Sequence, residues 1–115
     1  YSPLGQGRLT GKYTVDNPPP KSRTFSNHPM AVVERVVAEL RRIGEKHDGK
    51  APSQVGLNWI MAKGAVPIPG AKNREQALEN AGALGWELDA DDVAALDAAA
   101  LPGLRSLSNR LWQHG

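Results

Sequence analysis

Pro67, Ile68, Pro69 and Gly70 exclude a helix over four consecutive residues and leave room for only a very short strand. The residues that follow, Ala71-Lys72-Asn73-Arg74-Glu75-Gln76-Ala77-Leu78-Glu79-Asn80, read as a turn and the opening of a helix. Asn73 is a good N-cap, with Gln76 three residues on. At Gly70 the backbone can approach a ligand closely. The helix start offers free N–H groups and the positive end of its dipole, and Lys72 adds a full charge beside it. Such a corner suits a phosphate group. Lys72, Gln76, Glu79 and Asn80 recur at three- and four-residue spacings, so four polar side chains can reach one ligand. The same residues also make an ordinary capped surface helix, and the N-terminal end of the chain decides between the two.

A length of 115 residues normally makes one small domain. The net charge of +2 is too small and too dispersed to argue for a nucleic-acid partner. With no cysteine there is no disulfide framework, zinc–thiolate site or thiol nucleophile. No run is apolar and long enough to span a bilayer, so no membrane partner is expected. The chain opens on Tyr1 rather than methionine, which reads as the tail of a longer protein and leaves any targeting segment out of view.

Residues 1–12 carry Gly5, Gly7, Gly11 and Pro3, a loop composition. Spaced glycines bare backbone amides, while Ser2, Arg8 and Lys12 supply donors, so this is a second candidate anion cradle or else a plain flexible loop. Residues 13–28 continue as a stiff, basic loop through Pro18-Pro19-Pro20, Lys21 and Arg23. That loop is either a connector or a flap that folds over a ligand, with Arg23 meeting a phosphate.

The clearest helix is expected over 29–47, with Val33, Val36, Val37, Leu40 and Ile43 on one stripe and Asp48-Gly49 as its stop. A second helix is expected from Pro52 to about Lys63. Its apolar residues lie on more than one side, so it should sit between a sheet and another helix. Residues 65–69 then make a brief strand. A helix from Asn73 to about Leu84 should bury Ala77, Leu78, Ala81 and Leu84. Asp89 caps a last helix to about Ala100, and Leu104, Leu107, Leu111 and Trp112 form a tail able to dock.

His28, His47 and His114 lie in no metal-ligand spacing, so no metal site is expected and surface or capping roles are assigned. No Ser, His and carboxylate stand at a nucleophile elbow. Gly5 to Gly11 is neither a phosphate-binding Walker loop nor a dinucleotide fingerprint. Trp59, Trp86 and Trp112 are too widely spaced for a stacking platform, and burial is expected of them.

Tyr1-Ser2-Pro3-Leu4-Gly5-Gln6-Gly7-Arg8-Leu9-Thr10-Gly11-Lys12, followed about 55 residues later by Ile68-Pro69-Gly70-Ala71-Lys72 and Gln76-x-x-Glu79-Asn80, resembles the aldo-keto reductase family. The resemblance covers nearly the whole chain, and the interval between its two blocks matches as well. It implies an α/β fold, a (β/α)8 TIM barrel that binds NADP(H) without a Rossmann domain. Residues 1–115 would be the C-terminal part of that one domain. Tyr1 would end strand seven, residues 65–69 would be strand eight, and residues 90–100 would form an extra C-terminal helix. Phosphate often binds after strands seven and eight of such barrels, which puts the anion corner and the cofactor cleft in one place.

By position, the resemblance makes Tyr1 the aromatic residue that stacks on nicotinamide. Ser2, Pro3, Leu4, Gly5, Gln6, Gly7 and Lys12 match the pyrophosphate-side loop, and Arg23 a basic loop residue near the phosphates. Ile68 and Pro69 lead into the turn of Gly70 and Lys72, which holds the ribose 2′-phosphate. Gln76, Glu79 and Asn80 match the adenosine-side contacts. A lysine at the 2′-phosphate favours NADP over NAD. The family's catalytic aspartate, tyrosine, lysine and histidine lie in the first half of the barrel and have no counterpart here, so no catalytic residue is assigned.

A full barrel needs roughly 250 residues. The chain therefore lacks its partner, the N-terminal half of the same barrel, and by itself should be inactive, fold poorly or associate. The complete protein is expected to reduce an aldehyde or ketone to an alcohol by hydride transfer from NADPH. The alternative is a cofactor-binding regulatory subunit like those of potassium channels, or an inactive truncated fragment. Val66 to Gly70, Leu84-Gly85-Trp86 and Ser108-Asn109-Arg110-Leu111-Trp112 are similar to plant and algal plastid members, pyridoxal reductases among them. Location is expected to be cytoplasmic or plastid.

Overall fold

The computed structural model describes residues 1–21 and 28–100, and their order is a 3-10 turn at Gly5–Thr10 followed by four helices, α1 (Met30–Lys46), α2 (Pro52–Ala62), α3 (Arg74–Ala81) and α4 (Ala90–Ala99). Arg23 and the tail from Leu104 to Trp112 lie outside the described residues.

The stripe expected of α1 is the one it buries: Val33, Val37, Leu40 and Ile43 are buried, while Arg41 and Glu45 face solvent. Recurrence at three and four residues puts these apolar groups on one face, and burying each is worth roughly 1.5–3 kcal/mol. Gly44 follows Ile43 on the buried side, where the Gly44 carbonyl accepts from His47 N and Lys50 N, both at 3.0 Å. Asp48 (φ 58°) and Gly49 (φ 72°) turn left-handed to complete that stop.

α2 is the centre of the fold and touches α1, α3, α4 and the Gly5–Thr10 turn. Pro52 sits at its first position, and Gln54 Oε1 accepts from Ala51 N at 2.9 Å, closing the first turn. The core joins Leu40 and Ile43 of α1, Val55 of α2, Leu88 of the following crossing and Leu96 of α4. Asn58, buried in the middle of α2, ties that crossing down. Its Nδ2 donates to the carbonyls of Ala83 (3.0 Å) and Trp86 (2.9 Å), and its Oδ1 accepts from Leu88 N (3.2 Å). A polar side chain is tolerated there because all three bonds are made.

α4 starts as expected at Asp89, whose Oδ1 accepts from Asp92 N at 2.8 Å. Asp92 in turn joins α4 to the end of α1. Its carboxylate is 1% exposed and takes Lys46 Nζ at 2.5 Å and His47 Nε2 at 2.7 Å. His47 also tilts against the Trp86 ring, with centroids 5.0 Å apart. Of the surface or capping roles expected for His47, the structure gives it the capping one, half-buried at the C-terminal end of α1.

Three expectations fail. Residues 1–12 are not all loop, since glycine-permitted i→i+3 bonding coils Gly5–Thr10, with Gly7 N donating to the Leu4 carbonyl at 3.0 Å. Among the described residues there is no strand: Tyr1 and residues 65–69 carry no regular structure, so strands seven and eight are absent and α2 has no sheet beside it. A strand exists only through its ladder, and no described segment runs alongside 65–69. Finally, the helix after Asn73 stops at Ala81 rather than near Leu84 and buries nothing; Leu78 and Leu84 are exposed because no described element covers that side.

The Asp92 junction sets the acid limit of this packing. Burial pushes its carboxyl up, but the bonds from His47, Lys46 and the Asp89 backbone outweigh burial and hold it below the usual carboxylate value of 3.8. A group with a lowered folded-state value gives stability that is present above the unfolded value and is lost as pH falls through the folded one. The melting temperature should therefore drop as pH falls from about 4 downward. Asp92→Asn should flatten most of that drop, because Glu39 and Asp97, also held low by Arg42 and Lys63, are far more exposed. A variant melting curve as steep in acid as the parent's would remove Asp92 from this role.

Candidate functional site: two motif blocks on one helix

The two blocks singled out in the sequence meet on α2. From the first, the Leu4 side chain faces Gly56, where an added Cβ would lie 3.7 Å from Leu4 Cδ2. From the second, Glu79 of α3 accepts a short hydrogen bond from the Ser53 hydroxyl. Ser53 and Gly56 are three residues apart, about 4.5 Å along the helix axis. The Gly5–Thr10 turn and α3 do not touch each other; α2 brings them side by side.

In the first block, Tyr1 is 77% exposed, so its ring is free to stack on a planar ligand. Ser2 (φ 49°) offers its carbonyl to Gly5 N at 3.0 Å. Pro3 and Leu4 are half-buried beneath this turn. Gly5 (φ 56°), Gln6 (φ 56°) and Gly7 (φ 92°) are left-handed in succession, a backbone path that two glycines make accessible. Arg8, expected as a donor to an anion, is buried, with its guanidinium turned toward the Gly5 carbonyl at 3.5 Å. Lys12 is exposed, its ammonium 5.4 Å from the centre of the Tyr13 ring.

In the second block, Ile68 is exposed and Pro69 half-buried. Gly70 does not need a glycine for its backbone, yet a Cβ there would meet nothing within 4 Å. The space above it is open to a ligand. Asn73 caps α3 by accepting from Gln76 N at 2.9 Å. Gln76 Oε1 accepts from Lys72 N at 2.8 Å, and Asn80 Nδ2 donates to the Gly70 carbonyl at 3.2 Å. Gln76 and Asn80 thus spend one polar group each on shaping the 70–72 turn. Gln76 and Lys72 are exposed, and Asn80 is half-buried. By helix geometry the N–H groups of Arg74 and Glu75 have no partner inside α3.

The donor set at this corner is cationic and amide N–H, which suits a phosphate. Glu79 Oε2 beside it is an acceptor for an amine or hydroxyl. A phosphorylated adenosine carries both chemistries, so the residues present fit the NADP(H) that the resemblance implies. Ser53, Gln54 and Asn58 were not anticipated from the sequence. The signal for Asn58 was a polar residue within an otherwise apolar helix face. No local signal marks Ser53 and Gln54.

Two other features lie apart from the residues of the two motif blocks. An open cleft of about 760 Å³ is lined by Asn58, Met61, Leu84, Trp86, Val93 and Asp97, toward the far end of α2 from Ser53. The ligand atoms of His47, Asp89 and Asp92 lie within 4.8 Å of one another, but Lys46 already supplies the cation, 2.5 Å from Asp92 and 3.9 Å from Asp89.

The chain belongs to the aldo/keto reductase family, whose model matches residues 1–101. Among curated relatives it is 40% identical over 115 residues to the chloroplastic pyridoxal reductase of Arabidopsis thaliana, covering 98% of this chain and 31% of that protein. It is 41% identical over 118 residues to an aldo-keto reductase of Strobilurus tenacellus, covering 92% of this chain and 35% of that one. Aldo-keto reductase yakc of Schizosaccharomyces pombe, whose name carries NADP(+), is 32% identical over 117 residues, 91% of this chain and 34% of the relative. The chain thus spans about a third of the length of these relatives.

Proposed function

We propose that the complete protein is an NADP-dependent oxidoreductase that reduces an aldehyde or ketone, and that residues 1–115 are the C-terminal part of its barrel and carry much of the cofactor site. The observation that supports this best is the seating of both motif blocks one turn apart on α2, with the open Gly70 corner and Lys72 at one end. The bound cofactor supplies the hydride that passes to the carbonyl carbon. This chain's residues bind and orient it. The Tyr1 ring stacks on the nicotinamide. The Ser2, Pro3, Leu4, Gly5, Gln6 and Gly7 turn and Lys12 run along the pyrophosphate, and Arg23 is the basic residue assigned to the phosphates. Lys72 and the start of α3 hold the 2′-phosphate, and Gln76, Glu79 and Asn80 face the adenosine. The proton donor to the product belongs to the upstream part of the protein.

The upstream half of the barrel is the proposed partner of the exposed face. Val66 (85%) and Ile68 (67%) stand in solvent on a segment with no ladder, the state expected of a strand whose neighbours are elsewhere. Pro67 and Pro69 take the N–H donors from one edge of that segment, so the fuller ladder forms on the edge of Val66, Ile68 and Gly70. A cytoplasmic or plastid location goes with this proposal, and the chloroplastic relative favours the plastid. Among the described residues no helix is long and apolar enough to cross a membrane.

The test is carbonyl-dependent loss of NADPH absorbance with the complete protein. Pyridoxal is the aldehyde to try first, since the Arabidopsis relative is named for it. NADPH should be consumed, and faster than NADH. Tight NADPH binding without carbonyl-dependent consumption would replace the enzyme by a cofactor-binding regulatory subunit.

A further inference from the structure

α3 bears the residues assigned to the adenosine end, yet none of its side chains is buried. Apolar packing does not hold it in place, and polar ties from the first turn of α2 do. The Ser53 hydroxyl, on a residue only 1% exposed, donates to Glu79 Oε1. Next to it, Gln54 Nε2 donates to the Glu79 carbonyl at 2.9 Å. Gln54 is itself fixed by Ala51 N on its other end. Gly82 leaves the channel for that side chain: a Cβ there would sit 2.1 Å from Gln54 Nε2. Both the backbone and the side chain of Glu79 are therefore gripped from α2, on consecutive residues.

We propose that Ser53 is a positioning residue for cofactor binding. By occupying Oε1 it fixes the rotamer of Glu79 and presents Oε2 to an amino or hydroxyl donor of the adenosine. A carboxylate on an exposed helix otherwise samples several rotamers, and ordering it on binding costs affinity. Ser53 removes that cost beforehand. It also fixes the pitch of α3, on which Gln76 and Asn80 stand. This inference rests on the adenosine-side role given to Glu79 above.

The test uses the complete protein and adenosine 2′,5′-bisphosphate, which carries only the adenosine end of the cofactor, with affinity read by calorimetry. Ser53→Ala should weaken binding about fivefold, the worth of one hydrogen bond. In the Glu79→Ala background, which should itself bind more weakly, adding Ser53→Ala should cost nothing further, because the serine acts only through the carboxylate. Unchanged affinity in Ser53→Ala, with Glu79→Ala weakened, would overturn the positioning role and leave the adenosine assignment intact. A full additional loss in the double variant would overturn it as well, since a merely structural serine behaves that way. Unchanged affinity in Glu79→Ala would remove the underlying assignment, and the role of Ser53 with it.

Discussion

Gly44→Ala should destabilise the complete protein by about 1–3 kcal/mol, although alanine is the better helix former by roughly 1 kcal/mol. A Cβ at this position would lie 2.0 Å from the Lys50 carbonyl oxygen and 3.0 Å from its carbon. Both are backbone atoms, so no rotamer change relieves the clash. Lys50 is held there by its own N–H bond to the Gly44 carbonyl, at 3.0 Å. Moving it away breaks that bond and disturbs the left-handed pair Asp48 and Gly49 that turns the chain into α2. Overpacking costs about 1–3 kcal/mol and the lost bond about 1 more, which outweighs the gain in propensity. Gly70→Ala is the internal control. It meets nothing within 4 Å and should leave stability within about 0.5 kcal/mol of the parent. Denaturant midpoints of the two variants decide the matter. A Gly44→Ala midpoint at or above that of Gly70→Ala would show that the α1–α2 corner yields, contrary to this account.

What could be read from the sequence was local. Val33, Val37, Leu40 and Ile43 announce their shared face by spacing alone, and Asn73 and Asp89 cap the helices that their neighbours begin. These signals reside within four residues of one another, the reach of a helical turn. What escaped depends on partners far along the chain. Ser53 and Glu79 are 26 residues apart, and His47 and Asp92 are 45 apart. Periodicity carries no information about such polar pairs. Arg8 was read as a donor for an anion, but it turns back on the carbonyl of Gly5. The strand at 65–69 failed for a related reason. Residue types propose a strand, but only a neighbouring strand makes one.

The candidate site divides along the same line. The 70–80 corner was legible because a glycine turn, a capped helix start and a lysine are all local features. Its junction with the 1–12 block was placed by resemblance, and α2 now supplies a physical carrier for it. Leu4 faces Gly56, its Cδ2 3.7 Å from where a Cβ would stand, and Glu79 is anchored at Ser53, one turn away. Neither contact could be inferred from composition, since Gly56 and Ser53 are unremarkable residues for a helix start.

Lys72→Glu should weaken NADPH binding by the complete protein about 10- to 100-fold while changing NADH binding less than about threefold. The two cofactors differ only in the 2′-phosphate, so any group that acts on one alone must act there. Lys72 is exposed, and its own N–H is fixed by Gln76 Oε1 at 2.8 Å, so the backbone that presents its ammonium is already ordered. A charge-assisted bond to phosphate is worth about 1.5–3 kcal/mol, and reversing the charge adds repulsion. Complete loss is not expected. Arg74, also exposed, stands at the start of the same helix, and the helix dipole remains. Because the pair is solvent-exposed, the preference for NADPH should also shrink as salt is raised, and Lys72→Glu should abolish most of that salt dependence. Equal weakening of NADPH and NADH would mean that the substitution distorts the turn shared by both cofactors. The 2′-phosphate would then have to be assigned to Arg74 or to another cationic side chain.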